Sequence, residues 1–207
     1  MLVIKYSKTY PASYAGHTDT LRTIGRIFRR AGANVQYSQG FNPHMELYFS
    51  PALPVGVDST AEYLAVKMDL EENLLDRLNQ FSPKGLTFTQ VWQKQVNVAA
   101  VVTGATYRVV CKGLSQYASQ ILDHDYAITY DEKGQQVTKV VRDKIFDLQV
   151  IDDDTFLVTL ACGNVNLRCD RLVNHLLGVN NLTADYQIVK TQMLVGNIYM
   201  DSYLQKF

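Results

Sequence analysis

Arg22, Arg26, Arg29 and Arg30 are spaced so that one side of a helix would carry all of them. At roughly 100° per residue they share an arc, while Leu21, Ile24, Ile27, Phe28 and Ala31 fall on the opposite one. Guanidinium groups in such a row can grip phosphates bidentately along a nucleic-acid backbone. Water alone also selects a charged helix face, so the arginines fit either a binding surface or a solvated one. Their neighbourhood strengthens the binding reading and leaves both open. Across residues 1–44 the basic side chains are Lys5, Lys8 and these arginines, against Asp19 as the single acid. The whole chain, with 20 basic and 20 acidic residues, has no net charge and so no general pull toward DNA or an anionic membrane.

His17 and Asp19 open the same helix, where unpaired backbone N–H groups and the positive dipole end attract anions. Asp19 has a structural use as well, as the acidic member of a capping box three residues after Gly16. His17 lies on the apolar side by helical phase, which suits a hydrogen-bonded, partly buried imidazole. Beside the arginines it would also suit metal-free RNA cleavage, taking a 2′-hydroxyl proton while cations stabilise charge on phosphorus. It is the candidate base, and no catalytic residue is assigned. His44 ranks second, and His124 and His175 have no motif around them.

Residues 37–44 bring together Tyr37, Gln39, Gly40, Phe41, Asn42 and His44. Bases could stack on Tyr37 or Phe41 while Gln39 or Asn42 reads an edge. The competing reading is a turn shaped by Gly40 and Asn42, with Phe41 packed inward. Glu62 and Tyr63 are outer candidates, expected to point from a following strand into the same cleft.

The elements that must position these residues follow from periodicity. A strand at 2–7 and a loop at 8–16 precede the helix at 17–31, which Gly32 ends as a C-terminal cap. After an aperiodic stretch at 34–43 come a strand at 45–49, an alternating strand at 61–68, an amphipathic helix at 71–81 and a strand at 86–92. That β-α-β-β-α-β order is the ferredoxin-like pattern. Beyond a linker at 94–104, the order is a strand at 107–112, a helix at 114–123, and strands at 127–130 and 136–142. A hairpin of 145–151 with 156–161 then turns at Asp152, Asp153 and Asp154, ahead of a helix at 165–177 and a strand at 186–194. The expected fold is α+β: tandem ferredoxin-like (βαββαβ) units with antiparallel sheets, 1–93 and 105–207, the second carrying an extra hairpin. A single larger α+β sheet is the alternative.

Cys111, Cys162 and Cys169 form no CxxC pair, and Cys162 and Cys169 have no nearby His, so all three read as ordinary buried thiols of a reduced compartment. No apolar run approaches the roughly 20 residues of a membrane span, and no secretory leader stands at the N-terminus. The expected location is the cytoplasm.

The run from Gly16 to Arg22 (GHTDTLR), then Arg29-Arg30-Ala31-Gly32 and residues 37–44 (YSQGFNPH), resembles the radical-SAM-associated proteins, a domain family of unknown function. The likeness continues through residues 52–57 (ALPVGV) and Ala61-Glu62-Tyr63, and covers the second half only in outline. It implies a companion of a radical-SAM enzyme, since members are fused to one or encoded beside one, often near a ribonuclease and ribosomal-protein genes. That neighbourhood points toward RNA. The chain begins with its own Met and lacks the CxxxCxxC motif, so it resembles the stand-alone form. An iron–sulfur cluster and S-adenosylmethionine, if any, would then belong to the partner, with no cofactor in this chain. It departs from the family in having Gly16 for a capping Ser, and Met45 and Glu46 where Pro and Lys are common.

Overall fold

The computed structural model describes residues 1–206. The first half runs β1 (Leu2–Lys8), a 3-10 turn (Ala12–Tyr14), α1 (His17–Arg30), β2 (Leu47–Phe49), β3 (Asp58–Val66), α2 (Leu74–Gln80) and β4 (Leu86–Gln93). The second half opens with a one-turn helix α3 (Val98–Val101), β5 (Gly104–Cys111) and a 3-10 run (Ser115–Leu122). Next come β6 (Ala127–Glu132), β7 (Gln135–Val140), β8 (Ile145–Val150) and β9 (Thr155–Ala161). It finishes with α4 (Cys169–Val179), β10 (Tyr186–Val195), β11 (Ile198–Tyr199) and α5 (Met200–Lys206).

The architecture is α+β with a mostly antiparallel sheet in the order β4-β1-β3-β10-β5-β9-β8, to which β2 adds on β3 and β11 on β10. The expectation of two sheets is corrected: among the described residues, strands from both halves join in one nine-stranded sheet, and only β6 and β7 stand apart as a hairpin. The join is short. β10 runs parallel to β3 over Val189 opposite Asp58 and Lys190 opposite Ser59, while the other end of β3 pairs with β2 at Leu64, Ala65 and Val66.

Burial explains the sequence of the central strands. Leu2, Val3 and Ile4 of β1 are fully buried, as are Ala61 and Tyr63 through Val66 of β3, so both faces are covered. One face of these strands carries Leu2, Ile4, Leu64 and Val66 against Ile24 and Phe28 of α1 and Leu74 and Leu78 of α2. The other carries Val3, Ala61, Tyr63 and Ala65 in the core of the second half, with Val98 of α3 and Met200 and Leu204 of α5. Residues 61–68 therefore lack the alternation expected of them. A strand buried on both faces reads as a continuous apolar run.

Residues 94–104, expected as a linker, hold α3, whose cap is Asn97 accepting at 3.2 Å from the backbone N–H of both Ala99 and Ala100. The helix expected at 114–123 is a 3-10 run closed by bonds such as Tyr117 N–H to Leu114 O. The hairpin at Asp152–Asp154 forms as expected, with Asp154 N–H donating to the Asp152 carboxylate at 2.9 Å.

Candidate nucleic-acid interface

α1 forms because the residues it buries recur at helical spacing: Thr20, Ile24, Ile27 and Phe28. Thr20 replaces the expected Leu21 at the centre of this face, and its hydroxyl donates to Gly16 O at 2.9 Å. The helix ends as its glycine predicts. Gly32 takes φ +63°, and the Ala33 N–H returns to Phe28 O at 3.1 Å, closing the last turn. Arg22, Arg26, Arg29 and Arg30 are all exposed. Asp19 lies 3.6 Å from Arg22, and both side chains are about two-thirds exposed, so this is a weak surface pair. The N-terminus is capped by Gly16 without a side-chain bond.

The other flank of α1 faces β2. His17, expected to be partly buried, is exposed; its ring meets Phe49 edge-on at 6.5 Å. At the first turn there is no preceding helical turn to cover it, so its phase on the apolar side does not bury it. Residues 37–44 close on themselves: the Ser38 N–H donates to His44 O at 2.9 Å, and the Ser38 hydroxyl lies 2.8 Å from His44 Nδ1. Phe41 stands fully in solvent and Tyr37 is exposed, against the inward-packed alternative, and Gln39, Gly40 and Asn42 are exposed too. Glu46 accepts from Lys67 at 2.9 Å, and that bond lowers its pKa.

Glu62 and Tyr63 do not share a cleft. As neighbours on a strand they point to opposite faces. Glu62, 3% exposed, forms a 2.6 Å ion pair with Lys190 of β10, so the seam between the halves contains a buried charge pair. Lys8 of β1, 2% exposed, is close enough for Glu62 and Lys190 to influence it. Its ammonium donates to Ala15 O at 2.7 Å, and burial lowers its pKa. On the opposite face the Tyr63 hydroxyl donates to Asp201 of α5 at 2.6 Å, and Lys5 reaches the same carboxylate at 2.5 Å. Lys190 and Asp201 escaped sequence reasoning because these partners lie 138 and 196 residues apart for Asp201, beyond any local pattern. Two cations of the basic N-terminal segment, Lys5 and Lys8, are thus committed to the interior.

A trough runs along α1 on the side of α2. One cavity of about 410 Å³ is lined by Arg26, Arg30 and Phe81, and a second of about 240 Å³ by Lys8, Ala15 and Lys84; Thr23 and Pro83 line both. The arginines thus divide: Arg26 and Arg30 edge this trough, while the 37–44 loop belongs to the far, β2 side of the helix.

Cys111, Cys162 and Cys169 are buried free thiols, their pKa values raised by burial. Among the described residues no group of three His, Cys, Asp or Glu side chains could hold a metal, and no helix is long and apolar enough to cross a membrane. No curated protein matches the chain. Among solved structures, a chain in the crystal structure of a Cbf5-Nop10-Gar1 complex is similar, with a TM-score of 0.50 and 12% identity over 93% of this chain and 48% of that one. At that identity the likeness is one of fold, and this chain spans about half the length of the one it matches. α1, the 37–44 loop, the trough and Glu62 all lie within the stretch that a family shares: over residues 1–169 the chain matches, and therefore belongs to, the family described as an uncharacterized protein conserved in bacteria (DUF2344).

Proposed function

We propose that this chain is a non-catalytic companion of a radical-SAM enzyme and binds RNA, or an RNA-bearing substrate, on its N-terminal half. The observation that carries the reading is the exposure of Arg22, Arg26, Arg29 and Arg30 along one helix with a single weak acid contact. The resemblance of the GHTDTLR and YSQGFNPH runs supplies the radical-SAM partner. We read the halves as ferredoxin-like units sharing one sheet, because β4-β1-β3-β2 and β10-β5-β9-β8 repeat one strand order and β6–β7 is an addition to the second.

RNA binding is tested by salt titration. Four arginines on single-stranded RNA give a slope of log affinity against log salt of about −3, since each neutralised phosphate contributes about −0.7. A flat dependence, or no binding, removes the RNA reading and leaves a scaffold docking an acidic partner. RNA cut at neutral pH would replace the companion by an endoribonuclease. Failure to co-purify with the radical-SAM protein, with or without RNA, removes the partner.

A further inference from the structure

The trough beside α1 has a chemistry that the arginine row alone does not. Its cationic side chains are Arg26 and Arg30 at one end and Lys84 and Lys8 at the other, and no acid among the described residues lines it. Lys8 adds charge from beneath, since its ammonium is already bound to Ala15 O. Phe81, 37% exposed, lines the Arg30 end. At the Lys84 end the wall includes Pro11, Ala12 and Ala15. Beside them in the chain Tyr10 and Tyr14 stand in solvent, 69% and 65% exposed, with their rings edge to face at 6.0 Å. Both rings therefore leave faces free for stacking.

We propose that the trough is a track for single-stranded RNA, with phosphates on Arg26, Arg30 and Lys84 and unpaired bases stacked on Tyr10 and Tyr14. The proposal rests on the RNA reading above and specifies where on the N-terminal half the strand lies and in what form. From Thr20 to Arg30, both trough residues, α1 rises about 15 Å, the length of about four nucleotides at the ~3.4 Å spacing of a stacked strand. Stacking needs free base faces, which a duplex hides within itself. An acidic protein fits less well: a partner surface carries both signs, and its cations would meet no acid along the trough.

The test measures binding of a labelled oligouridine of about 12 nucleotides, and of a duplex of equal length, by fluorescence anisotropy. The unaltered chain is expected to prefer the single strand. Tyr10→Ala with Tyr14→Ala should weaken single-strand binding at least fivefold, because stacking on one ring contributes on the order of five- to a hundredfold. Lys84→Gln, made separately, should reduce the salt slope by about 0.7. All three side chains are exposed, and thermal unfolding of each variant checks that folding is retained. If the unaltered chain binds RNA but both variants match it, or if duplex binds equally well, the track is wrong while the RNA reading stands. If the unaltered chain binds neither RNA, or prefers polyglutamate, both fall together.

Discussion

Glu62 is the residue on which the interior charge balance depends. It is the carboxylate paired with Lys190, and Lys8 adds a second buried ammonium nearby. A buried ion pair contributes little net stability against an apolar pair of equal size, but removing one partner leaves an uncompensated charge in low dielectric. Glu62→Gln should therefore cost about 3–5 kcal/mol in urea unfolding. Glu62→Leu combined with Lys190→Met should recover most of that loss; a double variant no better than Glu62→Gln would mean that packing, not charge, dominates. His175 on α4 offers a pH test. Burial holds its pKa below the ordinary value, and its Nδ1 accepts from Thr129 N–H at 3.1 Å, so the folded state favours the neutral ring. With the folded pKa below the unfolded one, its contribution is complete above about pH 6.5 and is lost as pH falls through the folded value. The urea midpoint should drop between about pH 7.5 and pH 5.5, and His175→Gln should show a smaller drop across the same interval.

At the scale of elements, α1 was legible because a single periodicity controls both its buried face and its stop at Gly32. β3 was located, but its pattern was misread as alternating because its outer face is covered by α3 and α5, which follow it in the chain. The turn between α2 and β4 could not be foreseen as a wall of the trough. Its role depends on Gly85, whose carbonyl accepts from Thr9 N–H at 2.7 Å and whose φ is +86°. A Cβ there would lie 2.3 Å from Thr9 O and 2.9 Å from Tyr10 O. Only glycine allows this approach, since both the dihedral and the backbone contact exclude a side chain. Gly85→Ala should cost about 1–3 kcal/mol by thermal unfolding. It should also speed amide exchange at Thr9, the donor that the displaced turn would release. Unchanged exchange at Thr9 would show that the 9–15 loop holds its place without the turn.

At the scale of the molecule, the arginine row is readable because one helical periodicity places it, whereas the sequence leaves the 37–44 loop between an exposed and an inward-packed reading. The seam is not readable. Nothing near Glu62 or Tyr63 in sequence announces Lys190 or Asp201, which reach them only once the second half has folded back. That arrangement makes the halves interdependent. Their shared backbone ladder spans only Val189 opposite Asp58 and Lys190 opposite Ser59, too little to couple two independent units. What couples them is side-chain burial: Tyr63 and Val3 lie in one core with Met200 and Leu204, and Asp201 binds both Lys5 and Tyr63. Separating the halves would expose this apolar face, so the chain should unfold in a single transition. Trp92, whose ring lies 6.4 Å from that of Tyr63, packs against the core that the halves share and reports on the seam, while far-UV circular dichroism reports on both halves. In urea the two signals should have one midpoint, and Asp201→Ala should lower them together. Loss of Trp92 fluorescence ahead of the dichroism would mean that each half holds its own core, and that the α5 contacts merely decorate a fold already complete.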